Sequence, residues 1–229
     1  MKIMKTKINL ICLTLLFFFI SCKSDNESEN LCKDFDGNVY KTVQIENQVW
    51  MAENLRTKHY NNGDLIDTTP LANTNYSLEN TPSYQWPVDG DENNVATYGR
   101  FYTWFVATDT RGVCPKGWHL PSQQEWIILM NYLGGYKVAG GKMKENGISH
   151  WKSPNTLADN SSGFTALPTG NHVTYGFYNT IGESCCWWSK TEWDYVNIFA
   201  PSLSFDSGEF LQSNNSRQQG IGIRCVKDK

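Results

Sequence analysis

Along most of the chain the apolar positions fall in short clusters separated by Gly, Asn, Ser and Pro. In the stretch from Asp34 to Leu55, Val39, Thr42, Val43, Ile45, Val49 and Trp50 are strand formers. Glu46-Asn47 between them is a two-residue turn, so the pattern predicts a β-hairpin. Asn62-Gly63 marks a second turn. From Asp64 to Asp91 the chain carries Pro70, Pro82 and Pro87 and little periodicity, which predicts a long loop packed by its own aromatics. The apolar residues of Thr97 to Ala107 fit the helical and strand periods about equally, and we take the segment as a helix. Ser122-x-x-Glu125 is a capping box: the serine oxygen takes a free amide of the first turn and the glutamate reaches back. Trp126, Met130 and Leu133 follow at helical spacing, with Ile127 and Leu129 beside them, until Gly134-Gly135 ends the helix. Beyond Gly140 the segments 162–170, 185–193, 197–205 and 220–227 read as short strands between loops. One helix or two, with several short strands, makes an α+β fold.

The N-terminus breaks this pattern. Lys2, Lys5 and Lys7 precede a run of 13 residues, Ile8 to Ile20, apolar except for Asn9 and Thr14. A membrane span needs roughly 20 apolar residues, so the run reads as the core of a signal peptide covering residues 1–21. Ser21-Cys22 at its end resembles the lipobox of bacterial lipoproteins, which implies lipidation of Cys22 and membrane attachment through that lipid. Residues 22–32 then form a polar, acidic tether expected to be disordered. An acidic patch in that place resembles the surface-export signals of Bacteroidetes lipoproteins. It implies an outer-membrane lipoprotein facing the cell exterior. Residues 33–229 suit a single domain.

The net charge of −3 includes no basic stripe, so nucleic acid is not an expected partner. Only 19% of residues are charged, while 14% are aromatic, including 9 Trp. Rings in that number can fill a core or furnish a binding surface. With Cys12 in the signal peptide and Cys22 lipidated, five cysteines remain: Cys32, Cys114, Cys185, Cys186 and Cys225. An odd number leaves at least one thiol free or paired outside this set. Cys185 and Cys186 are not expected to bond to each other, because neighbouring Cα atoms about 3.8 Å apart fall short of the usual disulfide span of about 4.4–6.8 Å.

The candidate chemistry is sparse. His59, His119, His150 and His172 are scattered, without zinc-ligand spacing. His119 is expected to be hydrogen-bonded beside a core Trp118. Asp89, Asp91 and Asn93 resemble the opening of a calcium loop, but Asn94 and Arg100 stand where an EF-hand needs Gly and Glu. No metal and no cofactor is therefore expected, with calcium at these three residues the open exception. The remaining candidate is a ligand-binding face near the C-terminus: Trp188, Trp193, Tyr195, Asn197, Asn214, Asn215 and Arg217. Aromatics beside amides suit sugar stacking or a protein contact. Trp187 and Trp188 would point to opposite faces of a strand, so at least one is expected in the core.

Six strings in order resemble the Fibrobacter succinogenes major paralogous domain family: "DFDGNVYKTVQIENQVWMAENLR", "ATYGRFYTW", "VCPKGWHLPSQQEW", "SGFTALPTG", "WWSKTEW" and "RCVKD". The resemblance implies a C-type-lectin-like fold: two helices, a small twisted antiparallel sheet, long loops and termini brought together. It also implies a disulfide from a helix region to the last strand, which Cys114 with Cys225 would supply. Cys32 with Cys185 or Cys186 is the second pairing considered. Glu46 stands where the family often has Gly. The calcium and sugar signatures of true C-type lectins are absent, so the resemblance speaks to fold and not to activity.

The expected function is a lipid-anchored, non-catalytic surface binding or adhesion module for a glycan or protein. Two alternatives stay open. One is a structural envelope or fimbria-associated lipoprotein. The other is an enzyme on the same fold, of formylglycine-generating or other type, which would require Cys185 or Cys186 free, exposed and beside a base or metal.

Overall fold

The computed structural model describes residues 32–69, 79–173 and 178–229. The signal peptide, the Cys22 lipidation site and the tether up to residue 31 lie outside the described residues. Cys32 is already buried, and its carbonyl accepts from Tyr40 at 2.9 Å, so the folded domain includes a residue assigned above to the tether.

The predicted hairpin is present. β1 (Thr42–Ile45) and β2 (Gln48–Met51) pair antiparallel with Ile45 opposite Gln48, leaving Glu46-Asn47 as the turn. Glu46 has φ 54°, the left-handed region that glycine enters without penalty. The segment expected to be one loop contains β3 (Gln85–Pro87), with Trp86 fully buried. The segment expected to be one helix is divided into α1 (Val95–Tyr98), β4 (Arg100–Tyr102) and α2 (Trp104–Ala107). Gly99, at φ 80°, makes the break, and β4 pairs with β3. β5 (Trp118–His119) leads into α3 (Gln123–Tyr132), whose Ser122–Glu125 capping box is complete. A second helix, α4 (Tyr136–Met143), follows directly. The remaining strands are β6 (Asn171–His172), β7 (Tyr178–Asn179), β8 (Ser184–Cys186), β9 (Asn197–Phe199), β10 (Ser202–Ser204), β11 (Asn214–Ser216) and β12 (Val226–Lys227). The segment 162–170, expected as a strand, makes only single bridges, at Ala166 and Gly170.

The main sheet is antiparallel in the order β1-β2-β12-β5, so the last strand lies between the hairpin and the strand before α3. Two-stranded ribbons surround it, among them β8 with β10 and β9 with β11. The fold is α+β.

Strand alternation feeds two apolar clusters rather than one core and one wet face. Met51, Cys186, Trp188, Ile198 and Cys225 enter the first cluster. Their chain neighbours Trp50, Cys185, Trp187, Phe199 and Val226 enter the second, beneath α3. There Trp50 meets Trp126 with ring centroids 4.5 Å apart, and Trp126 stacks on Trp187 at 5.8 Å. Cys114 and Cys225 form a disulfide across a separation of 111, tying the approach to α3 to the strand end. Cys32, Cys185 and Cys186 are buried thiols, so the second pairing does not form. Alternation carries Cys185 into the second cluster while Cys32 lies in the first, and the Cys186 thiol is hydrogen-bonded to Asn215.

Candidate binding face

The loop before β9 is built around one carboxylate. Asp194 accepts from the backbone amides of Val196 and Asn197, each at 2.8 Å, and from the Asn197 side chain at 3.0 Å. The Asn197 amide, followed by these backbone donors, holds the carboxyl below its usual pKa. The loop is thereby fixed in a tight turn, with Trp193 stacked on Phe199 at 6.1 Å. Tyr195 projects from the turn at 93% exposure.

Arg217, just past β11, closes the other side. Its Nη2 donates to the Tyr195 carbonyl at 2.8 Å, and its guanidinium lies 5.1 Å from the Trp104 ring. Trp104 is itself anchored by donating its indole N–H to the Ser189 carbonyl at 3.0 Å. Tyr195, Val196, Ser216, Arg217 and Gln218 line a groove of about 410 Å³, completed by Phe105, Asn80 and Thr81. The groove offers one exposed and one half-buried ring, an aliphatic wall, a guanidinium and amides. Such a set can stack, accept apolar groups and hydrogen-bond.

The seven residues expected on one face separate. Tyr195 and Arg217 meet at the groove, and Trp193 is on the same turn. Trp188 is fully buried and donates its indole N–H to the Tyr102 carbonyl, so it belongs to the core and cannot touch a ligand. Asn197 is spent on Asp194. Asn214 and Asn215 line a different groove of about 500 Å³ above Cys185 and Cys186, and Asn215 is bonded to a thiol. Phe105 was hidden in the aromatic run whose period is ambiguous, and Asn80 and Thr81 carry no sequence signal.

The other candidates are structural in their contacts. His119 bridges Asp228, 2.5 Å from Nδ1, and Glu125, 2.8 Å from Nε2, beside buried Trp118. Asp91 accepts from the backbone and side chain of Asn93, both at 2.9 Å, and caps a short 3-10 turn, while Asp89 is held at φ 56°. Among the described residues no group of three or more His, Cys, Asp or Glu is arranged to hold a metal ion. The cysteine-enzyme alternative needs an exposed, ionisable thiol. Cys185 and Cys186 are 1% and 8% exposed, and burial pushes the Cys186 thiol up to about 12 and Cys185 well above its ordinary value.

Among the described residues no helix is long and apolar enough to cross a membrane. Residues 43–227 match the family model described as the Fibrobacter succinogenes major domain. No curated protein matches the chain.

Proposed function

The chain belongs to the Fibrobacter succinogenes major domain family, and from that premise we propose that it is a non-catalytic surface binding module whose ligand face is the Tyr195–Arg217 groove. The observation that carries this reading is a nearly fully exposed tyrosine on a turn whose backbone is held by Asp194 and Arg217. An ordered, solvent-facing ring loses little freedom on binding, which favours recognition. The ligand is a glycan or a protein segment that stacks on Tyr195 and meets the guanidinium and amide edge. The module reaches the cell exterior through a lipid on Cys22 and the polar tether that follows it.

We read the architecture as C-type-lectin-like. The supporting features are the hairpin paired to the terminal strand, the two consecutive helices and the Cys114–Cys225 bond between the approach to α3 and the last strand. The thiols' burial and the carboxylates' engagement in caps and turns favour binding over catalysis.

The test is a glycan array and a panel of host surface proteins, probed with the full chain and with Tyr195→Ala and Arg217→Ala variants. A ligand whose binding falls at least tenfold in Tyr195→Ala supports the reading. Binding untouched by both substitutions, or no ligand on either panel, refutes it. Co-purification with envelope proteins alone would favour the structural-lipoprotein alternative.

A further inference from the structure

Two arginines are buried in this domain, and they are treated differently. Arg100, 2% exposed, donates to Glu92 at 2.5 Å and to Gln85 at 2.9 Å. Arg224, 1% exposed, has no carboxylate within ion-pair distance among the described residues. Its Nε donates to Asn54 Oδ1 at 2.9 Å, its Nη2 to the Thr165 carbonyl at 2.9 Å, and its Nη1 to the Phe164 carbonyl. A guanidinium has five N–H donors, so two are left over. The ring faces of Phe164, 4.2 Å away, and Trp187, 5.5 Å away, soften the charge but do not cancel it. Desolvation lowers the Arg224 pKa to about 9, and Glu53, too far to form an ion pair, offsets this only in part.

Arg224 lies against a pocket of about 230 Å³ that shares no residue with the Tyr195 groove. Lys41, Thr97, Thr165 and Asn54 also line it, together with Glu53. The Glu53 carboxylate is engaged by the Lys41 backbone amide at 3.1 Å and by Arg56 at 3.4 Å. Ala52, Ala96 and Leu167 complete the lining, which carries one excess positive charge: Lys41 and Arg224 against Glu53.

We propose that this pocket is a second ligand site, which takes a single carboxylate group and supplies the counterion that Arg224 lacks. A planar carboxylate matches the paired donors of a guanidinium, and its one charge balances the one excess charge of the lining. A doubly charged phosphate would overshoot that charge beside Glu53. The carboxylate belongs either to an acidic sugar or to an acidic side chain of a protein partner.

The experiment uses the full chain in neutral detergent with ¹⁵N-labelled arginine. The Arg224 Nε resonance and the thermal midpoint are followed while glucuronate or N-acetylglutamate is added, with methyl glucoside and N-acetylglutamine as neutral controls. Both acids should give a saturable shift and a higher midpoint, and the controls should give neither. Lys41→Met should weaken the acids by about two- to fivefold, the size of a partly exposed charge contact. Arg224→Gln should abolish the response; if that variant does not fold, Lys41→Met decides. Tighter binding of glucuronate assigns the carboxylate to a glycan, and tighter binding of N-acetylglutamate to a protein. The proposal is overturned if neither acid saturates, if inorganic phosphate or chloride acts equally well, or if Lys41→Met leaves the affinities unchanged.

Discussion

Trp187 donates its indole N–H to Asn54 Oδ1 at 2.9 Å, a bond that spans 133 positions of the chain. The same oxygen accepts from Arg224 at 2.9 Å, and the Asn54 amide nitrogen donates to the Tyr98 carbonyl at 3.0 Å. One buried amide therefore joins the end of β2, the close of α1, the β8 region and the approach to β12. Asn54→Ala leaves a buried indole N–H and a buried guanidinium N–H without their acceptor. The expected loss is about 2–4 kcal/mol, read from urea unfolding with an unchanged slope.

The five cysteines among the described residues divide into one bond and three protected thiols. The Cys114–Cys225 bond closes a loop of 111 positions, which the chain-entropy model values at about 4–5 kcal/mol. Cys114→Ser with Cys225→Ser should lower the unfolding free energy by that order. In the native protein Cys32, Cys185 and Cys186 should ignore a thiol reagent, and all three should react once the domain is unfolded.

His172 sets an acid limit. It is 1% exposed and stacked on Trp86 with ring centroids 4.1 Å apart. Burial lowers its pKa from 6.5 to about 4, so between those values the unfolded chain holds the extra proton. Its contribution to stability is therefore intact above pH 6.5, declines as the pH falls toward 4, and is fully lost below that. At pH 5 the cost is about 2 kcal/mol relative to pH 7.5. His172→Phe keeps an aromatic stack and should flatten this part of the stability curve. Equal slopes in the parent and the variant would contradict the assignment.

Gly140 reverses a common rule. Within an exposed helix Gly→Ala usually stabilises by about 1 kcal/mol. In α4 a β-carbon at Gly140 would lie 2.1 Å from the Glu209 carbonyl oxygen, a backbone atom that cannot swing aside. Gly140→Ala should instead destabilise by about 1–3 kcal/mol or more, visible as a lower thermal midpoint.

These residues also mark where the chain could be read and where it could not. The hairpin and the main helix were legible because their signals are local: a turn between strand formers, and a capping box before a helical stripe. Trp188 was misplaced because strand parity guarantees only one buried face, whereas β8 and its continuation are covered on both. The boundaries of α4 carried no local signal, since its glycines answer to the close approach of the Glu209 and Leu157 backbones, outside the helix. Asn54 gave no signal at all, because its partners come from positions 44, 133 and 170 residues away. The Tyr195 turn was visible as an aromatic-rich stretch, but its partner Phe105 lay in a run with no clear period.

The place of β12 in the sheet has a consequence for biogenesis. β2 and β5 are made early, yet no bond between them closes the sheet until Val226 and Lys227 arrive between them. The disulfide likewise waits for Cys225. During synthesis the growing chain holds a hairpin and a helix without the strand that unites them. Acquisition of the native state thus waits for residues 225–227, and a chain halted before them should remain a substrate for chaperones and proteases.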